Sequence, residues 1–232
     1  QPKFFLGKEI IYGAEALARW KKPDGTIVPP AYFVDSLEKI GYITELDFYI
    51  FEEVLKTLDK WDRQKKRKII ISTNFSGRHF EGTGEEFLNR IAHVMSKYTV
   101  LPSNIEIEVT EGVLVKNVEV LRNCLNRLHD MGFRIAIDDF GTGYSSLSML
   151  ADMPSDVIKI DKSFINVGMT DQKLKLLCEI GRMVKILGKE IIIEGVETKE
   201  QEQFLIDGGF ACGQGFLCNR PVSLGEFERL YL

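Results

Sequence analysis

The sequence predicts an α/β fold, a modified TIM-like (β/α)8 barrel with one antiparallel strand from an N-terminal hairpin. Eight short segments with the composition of strands alternate with segments whose apolar residues recur at helical spacing. The chain has 232 residues, which is close to the length of about 250 at which α/β barrels fold as one domain. Residues 1–232 are therefore expected to form a single domain.

The first predicted element is the hairpin. Residues 3–6 and 10–12 flank Gly7 and Lys8, and a glycine followed by another residue favours a type II′ turn. Seven further strands are predicted, and several are rich in isoleucine and valine. They span residues 13–19, 68–75, 104–110, 134–138, 157–161, 190–195 and 211–216.

Helices are predicted between the strands because apolar residues recur there every three or four positions. The four stripes are Ile50-Val54-Leu58-Trp61, Phe87-Ile91-Val94-Tyr98, Val118-Leu121-Leu125-Leu128 and Leu174-Leu177-Val184-Leu187. Thr44 with Asp47 and Thr198 with Gln201 have the spacing of a capping box. These pairs predict that two helices begin at Thr44 and Thr198.

Composition excludes several classes of protein. The net charge of -4 gives no electrostatic case for binding duplex DNA or RNA. The four cysteines lack CxxC spacing, which argues against a zinc knuckle or a redox pair. No apolar run approaches the roughly 18 residues of a membrane span, so no membrane contact is expected from this domain. The chain starts at Gln1 without a methionine, and we expect a domain of a longer, multidomain signalling protein.

Polar residues fall at or near the carboxyl ends of seven predicted strands. They are Glu15, Asn74, Glu106 with Glu108, Asp138 with Asp139, Lys159 with Asp161, Glu194, and Gln214. Buried carboxylates are costly unless they are paired or bind a metal. Barrel enzymes place their sites at the carboxyl ends of the strands, so this set predicts an active site at the mouth of the barrel.

The residue types in this set favour Mg²⁺ or Mn²⁺. Oxygen ligands without a histidine or cysteine cluster suit these ions and argue against structural zinc. Asp138 and Asp139 can each reach a different ion, and paired ions are usual for in-line phosphodiester hydrolysis. A buried ion-pair network around Lys159 is the alternative. The histidines are interpreted as surface or packing residues: His79, His93 and His129.

Seven motifs occur in order at these strand ends, and together they resemble the EAL domain family. They are Glu15-Ala16-Leu17, Asn74-Phe75-Ser76, Glu108-Val109-Thr110-Glu111, DDFGTGYSSL from Asp138, Ile158-Lys159-Ile160-Asp161, Glu194-Gly195-Val196-Glu197 and Gln214-Gly215-Phe216. Gln1-Pro2 and Arg220-Pro221 resemble the opening and close of the family. The resemblance implies a barrel that hydrolyses cyclic di-GMP to linear pGpG and so lowers a bacterial second messenger.

The resemblance also implies the metal ligands and the catalytic residues. Five residues would hold two Mg²⁺ or Mn²⁺ ions, with Asp138 shared: Glu15, Asn74, Glu108, Asp138 and Asp139. Lys159 would position the attacking water, and Glu194 would act as a general base or orient that water. Gln214 would support the site through a hydrogen bond. Ca²⁺ is expected to inhibit, because its longer bonds spoil the alignment of the water.

Further residues are assigned to the substrate and to a loop. Four are expected to contact substrate: Arg19, Leu17, Gln1 and Asp161. The resemblance implies that Glu111 fixes a regulatory loop, residues 140–147, near a homodimer interface. Glu106 and Glu197 receive no definite role. The parent protein is expected in the cytoplasm, with a sensory or GGDEF-type domain and with anchoring to the inner membrane left open.

Three other functions stay open at this point. Some members of the family bind cyclic di-GMP without cutting it, and such a receptor is the main alternative. A glycosidase needs only two carboxylates and predicts activity in the presence of a chelator. A structural role predicts no nucleotide binding.

Overall fold

The computed structural model describes residues 1–115, 118–143, 147–166 and 170–232. Its strands are β1 (Pro2–Phe5), β2 (Ile11–Ala16), β3 (Trp20–Lys21), β4 (Ile27–Val28), β5 (Ile70–Asn74), β6 (Ile105–Thr110), β7 (Arg134–Phe140), β8 (Val157–Ile160), β9 (Glu190–Glu194) and β10 (Cys212–Gln214). Its α-helices are α1 (Val34–Ile40), α2 (Ile43–Arg63), α3 (Glu85–Met95), α4 (Val118–Asp130), α5 (Leu147–Asp152), α6 (Ser163–Asn166), α7 (Asp171–Ile186), α8 (Lys199–Asp207) and α9 (Leu224–Tyr231). Short 3-10 helices lie at Pro30–Tyr32, Gly77–Phe80, Pro102–Asn104 and Glu111–Val115.

Eight strands close into a barrel in the order β1-β10-β9-β8-β7-β6-β5-β2, which confirms the predicted fold class. The pairs from β2 through β5 to β10 are parallel. Strand β1 is antiparallel to both of its neighbours, β2 and β10. The hairpin therefore supplies the one antiparallel strand, as expected. Strands β3 and β4 form a separate two-stranded sheet.

The hairpin differs from the prediction in its turn. The N–H of Lys8 donates to the carbonyl of Phe5 at 3.0 Å. Gly7 is therefore the third residue of the turn, where its φ of 70° suits glycine, and not the second residue as a type II′ turn requires. The predicted segments 10–12 and 13–19 also merge into the single strand β2.

One of the two predicted helix starts is wrong. Helix α2 begins at Ile43, and its N-cap residue makes no side-chain hydrogen bond. Thr44 lies inside the helix, where its hydroxyl donates to the carbonyl of Gly41 at 3.2 Å. Asp47 accepts from the N–H of Ser76 at 2.8 Å instead of closing a capping box. Thr198 and Gln201 do form the predicted capping box at the start of α8.

The main hydrophobic core lies between the barrel and its surrounding helices. Helix α2 contributes Phe51 and Leu55, which are fully buried, and the outward faces of the strands contribute isoleucines. His79 is buried among the rings of Phe48, Phe75 and Phe87, so it is a packing residue as predicted. Among the described helices, none is long and apolar enough to cross a bilayer.

The barrel interior contains a small apolar cluster and a set of charged and amide side chains. Ala136, Val157 and Ile192 form a small apolar cluster, against which Tyr12 and Cys212 pack. Elsewhere in the barrel, strand residues that point inward alternate with apolar residues that point outward. Those inward residues are charged or amide side chains that are mostly buried: Lys3, Glu15, Glu106, Glu108, Lys159 and Gln214. The strand pattern therefore directs these charges to the barrel axis.

Candidate active site

Lys159 is the centre of the site and is fully buried. Its ammonium group contacts one carboxylate on each of four other strands. The distances from Nζ are 2.8 Å to Glu108 Oε2, 2.8 Å to Glu194 Oε1, 3.0 Å to Asp138 Oδ2 and 3.3 Å to Glu15 Oε2. The carboxyl ends of β2, β6, β7, β8 and β9 thus bring together residues that lie far apart in the sequence.

The carboxylates form two groups that overlap at Asp138. Oxygen atoms of Glu15, Glu108 and Asp138 lie within 4.8 Å of one another, and so do those of Asp138, Asp139 and Glu194. Each group offers three oxygen ligands at a spacing that a single divalent ion can bridge. Glu194, for which the sequence indicated a role as base or water orienter, lies in the second group.

A β-bulge explains how two consecutive aspartates serve the same site. Side chains of consecutive strand residues normally point to opposite faces. Between Ile137 and Phe140, strand β7 has one residue more than the facing part of β8. Asp139 has a φ of 55°, and its N–H donates to Asp138 Oδ1 at 2.8 Å. The bulge therefore places both carboxylates beside the same residue, Glu194.

Two amide side chains hold Glu15 in place. Asn74 Nδ2 donates to Glu15 Oε1 at 2.7 Å, and Gln214 Nε2 donates to Glu15 Oε2 at 2.7 Å. Gln214 also donates to Gln1 Oε1 at 3.2 Å. The Oε1 atom of Gln214 is buried and has no hydrogen-bond partner among the described residues. The hydrogen bond expected from Gln214 is thus present, and its acceptor is Glu15.

Burial and the neighbouring charges shift several pKa values in the site. Burial raises the pKa of Asp138 well above its usual value despite the nearby Lys159, and burial likewise raises the pKa of Asp139 and of Glu194. Burial would also raise the pKa of Glu108, but the ammonium groups of Lys159 and Lys3 outweigh it and lower that pKa to about 2. Burial opposes the charge on Lys159, but the surrounding carboxylates raise its pKa well above the usual value.

Lys3 is a site residue that the sequence analysis missed. It is almost fully buried, and its Nζ lies 2.6 Å from Glu106 Oε1 and 2.7 Å from Glu108 Oε1. Glu106 in turn lies 3.4 Å from Nε of Arg134 near the floor. Charges therefore alternate in sign along the barrel axis from Arg134 to the mouth. Two features of the sequence could have indicated this role. Lys3 lies in an apolar segment beside Phe4, and Glu106 was expected to point to the same face as Glu108 but had no assigned role.

The residues expected to bind substrate lie around the mouth. Arg19 is exposed just beyond the end of β2, and its Nη1 donates to the carbonyl of Ala18 at 2.7 Å. Leu17 is half-buried and lines a cavity of about 290 Å³. Gln1 bridges Gln214 and the carbonyl of Asn219. Asp161 Oδ1 accepts from the N–H of Ser163 at 2.9 Å and so caps the short helix α6.

Glu111 contacts the loop that follows β7. Its Oε2 atom accepts from the N–H of Gly141 at 2.8 Å and from the N–H of Gly143 at 3.0 Å. Gly141 has a φ of 97°, and a Cβ there would lie 2.2 Å from the ring of Phe164. Tyr144, Ser145 and Ser146 of the predicted regulatory loop lie outside the described residues.

The donor set fits divalent cations that prefer oxygen. Among the described residues, five carboxylates lie at the mouth, and Lys159 is the one cation that contacts four of them. The ion-pair network that the sequence left as an alternative is therefore present. It does not account for all of the charge, because a single ammonium group is shared by four carboxylates. Oxygen ligands with excess negative charge are what Mg²⁺ or Mn²⁺ would require.

Comparison with known proteins gives the family. The model of the EAL domain matches residues 1–221. The chain is 36% identical over 233 residues to the signaling protein YkoW of Bacillus subtilis, covering 100% of this chain and 29% of that protein. It is 32% identical over 232 residues to the cyclic di-GMP phosphodiesterase PdeR of Escherichia coli, covering 100% and 34%. The chain thus spans about a third or less of the length of these relatives.

A solved structure agrees with this match. The structure described as the PaMucR phosphodiesterase in complex with c-di-GMP superimposes with a TM-score of 0.90 at 31% identity. The alignment covers 98% of this chain and 92% of that one. The fold of almost the whole chain is therefore shared with a structure described as a c-di-GMP complex.

Proposed function

Because this chain belongs to the EAL domain family, we propose that it is a metal-dependent phosphodiesterase that hydrolyses cyclic di-GMP to linear pGpG. The observation that carries the proposal is the pair of carboxylate groups that share Asp138 at the mouth of the barrel. Relatives named as cyclic di-GMP phosphodiesterases and the ligand of the aligned structure support the choice of substrate.

The two carboxylate groups would each hold one Mg²⁺ or Mn²⁺ ion. Glu15, Glu108 and Asp138 would hold the first, with Asn74 beside Glu15 as a further oxygen ligand. Asp138, Asp139 and Glu194 surround the position proposed for the second. When bound, the ions would lower the pKa of water and offset the charge that develops on the phosphate.

Lys159 and Glu194 would divide the handling of protons. The pKa of Lys159 is raised by its acidic neighbours, so its ammonium stays charged and can donate to a water or a phosphate oxygen. Burial raises the pKa of Glu194, which suits a carboxylate that accepts a proton from the attacking water. Water would then attack phosphorus, and the bond from phosphorus to one ribose oxygen would break to give pGpG.

The substrate would lie across the mouth. Arg19 presents an exposed guanidinium whose planar fork suits a phosphate. The 290 Å³ cavity lined by Leu17, Val34 and Asn74 adjoins the carboxylates and is large enough for part of a nucleotide. Gln1 and Asp161 complete the proposed substrate contacts. The homodimer and the further domains of the parent protein stay predictions.

Substitution Glu111→Ala is expected to lower kcat. It removes the acceptor for the N–H groups of Gly141 and Gly143, which begin the loop after Asp138 and Asp139. Loss of a charged hydrogen bond costs about 1.5–3 kcal/mol, which corresponds to about a 10–100-fold loss if the bond holds the reactive geometry. Steady-state kinetics measure the loss. Glu111→Gln keeps an oxygen acceptor and should lose less; equal, wild-type kcat in both variants would show that Glu111 does not position the loop.

The proposed function is tested by incubating the protein with cyclic di-GMP and Mg²⁺ or Mn²⁺, with and without EDTA, and separating the products by chromatography. Metal-dependent formation of pGpG is the expected result, and Ca²⁺ in place of Mg²⁺ should inhibit. An intact but bound nucleotide would identify a receptor. Turnover that survives EDTA would exclude the metal mechanism, and absence of binding would exclude this substrate.

A further inference from the structure

Lys3 connects the two glutamates of β6 that point into the barrel. Strand β1 carries it between β2 and β10, opposite Gly13 and Gln214. Its Nζ lies 2.6 Å from Glu106 Oε1 and 2.7 Å from Glu108 Oε1, and only 2% of the residue is exposed. Such short contacts in a dry interior fix the position of the ammonium group and of both carboxylates.

The two oxygens of Glu108 therefore have different surroundings. Oε1 accepts from the ammonium group of Lys3 at 2.7 Å. Oε2 is directed toward Lys159 at 2.8 Å, and Lys159 is also the contact of Glu15 and Asp138. Glu108 thus presents Oε2 to the carboxylates grouped around Lys159, while Lys3 pairs with Oε1 on the side of Glu106.

We propose that Lys3 is a positioning residue that restricts Glu108 to a single metal-binding oxygen and thereby makes the site select Mn²⁺ or Mg²⁺ over Ca²⁺. The inference rests on the proposed function, because it takes Glu108 as a metal ligand. Mg²⁺ demands near-octahedral geometry with short bonds, which single carboxylate oxygens satisfy. Ca²⁺ takes six to eight oxygens and often binds both oxygens of one carboxylate. If Lys3 blocks Oε1 of Glu108, bidentate binding by this carboxylate is lost. This loss affects Ca²⁺ and does not affect Mg²⁺, which needs one oxygen from each carboxylate.

The neighbouring charges allow a balanced test. Lys3 alone cannot be neutralised safely, because Glu106 and Glu108 would remain buried beside each other without their shared cation. Lys3→Met combined with Glu106→Gln removes one positive and one negative charge and keeps the volumes similar. Glu106→Gln alone keeps the contact between Lys3 and Glu108 and is the matched control.

The experiment measures the Kd of Mn²⁺ and of Ca²⁺ by isothermal titration calorimetry without substrate, for the wild type, the double variant and the control. Outer-shell partners of metal ligands typically contribute about 10–100-fold to affinity. We expect the double variant to lose Mn²⁺ affinity by about 10-fold or more. Its Ca²⁺ affinity should fall less or rise, so that the ratio of the two constants shifts toward Ca²⁺. The control should keep the wild-type ratio.

An unchanged ratio in the folded double variant would overturn the role of Lys3 while leaving the proposed function intact. An equal loss of affinity for Mn²⁺ and Ca²⁺ would also overturn the role of Lys3 in selectivity, because Lys3 would then act only through its charge. If the wild type bound neither ion, the proposed metal site itself would fail. If the double variant does not fold, a crystal structure of the wild type with Mn²⁺ decides: Glu108 should bind through one oxygen with Lys3 still on the other, and bidentate binding would refute the inference.

Discussion

Asp138→Asn is expected to reduce kcat by about 10³-fold or more, because several kcal/mol of metal-dependent stabilisation correspond to that factor. Asp138 belongs to both carboxylate groups, so one substitution weakens both proposed metal sites. The amide keeps the size of the side chain and can still accept from the N–H of Asp139 through Oδ1. The fold should therefore survive while turnover is lost.

Steady-state kinetics at saturating Mn²⁺, combined with metal titration, measure this effect. Asp139→Asn alters only the second carboxylate group, so the first group should still bind its ion. Glu190→Gln is the matched control, since this carboxylate lies on the same barrel but pairs with Arg134 at the floor and is 61% exposed. Turnover in Asp138→Asn above about a tenth of the wild type would contradict a shared ligand, because a tenfold change is only 1.36 kcal/mol.

Lys159→Met is expected to lower the free energy of unfolding of the metal-free protein by about 3–5 kcal/mol, the usual result of breaking a buried ion pair by removing one partner. Four carboxylates would then face one another without their common cation. For a chain of this size the melting temperature should fall by roughly 6–20 °C, at about 2–4 °C per kcal/mol. Mn²⁺ should restore more stability to the variant than it adds to the wild type.

The decrease in the free energy of unfolding caused by Lys159→Met should depend on pH. In the wild type the folded pKa of Glu108, about 2, is depressed below the ordinary value of 4.5. A depressed carboxyl pKa contributes stability that is present above the unfolded pKa and lost as pH falls toward the folded one. In the wild type this contribution of Glu108 should thus be full above pH 4.5 and shrink below it, so the stability lost in the variant should be smaller at acid pH.

Thermal unfolding in EDTA across this pH range, followed by addition of Mn²⁺, measures both effects. Lys189→Met is the matched control, because Lys189 is also buried but donates to the carbonyls of Met153 and Ser155. Mn²⁺ should stabilise the Lys189→Met variant no more than it stabilises the wild type. A Lys159→Met protein as stable as the wild type in EDTA would show that the carboxylates do not need the ammonium.

Much of the site could be predicted because of one geometric rule. Parallel strands bring their carboxyl ends to one rim, so residues as distant as Glu15 and Gln214 had to converge if the barrel formed. They do, through a hydrogen bond of 2.7 Å. Side-chain alternation within a strand also correctly directed Glu106 and Glu108 to one face.

Other features depend on tertiary contacts that no local pattern encodes. The spacing of Thr44 and Asp47 fits a capping box, yet Gly41 ends α1 in a left-handed conformation and Asp47 is used by the N–H of Ser76. The bulge at Asp139 is visible only through its register with β8. Lys3 became interpretable only once Glu106 and Glu108 were found beside it.

The position of β1 also has a consequence for synthesis of the chain on the ribosome. Lys3 pairs with Gln214, so the outer edge of this early strand stays unpaired until β10 has been translated. At about 5–20 residues per second, the delay is roughly 10–40 s. During that time β1 can pair with β2 alone, and the sheet stays open on the other side of β1. Cotranslational folding can therefore build the hairpin and the parallel part of the sheet first, but closure of the barrel and completion of the proposed active site are a single, late event.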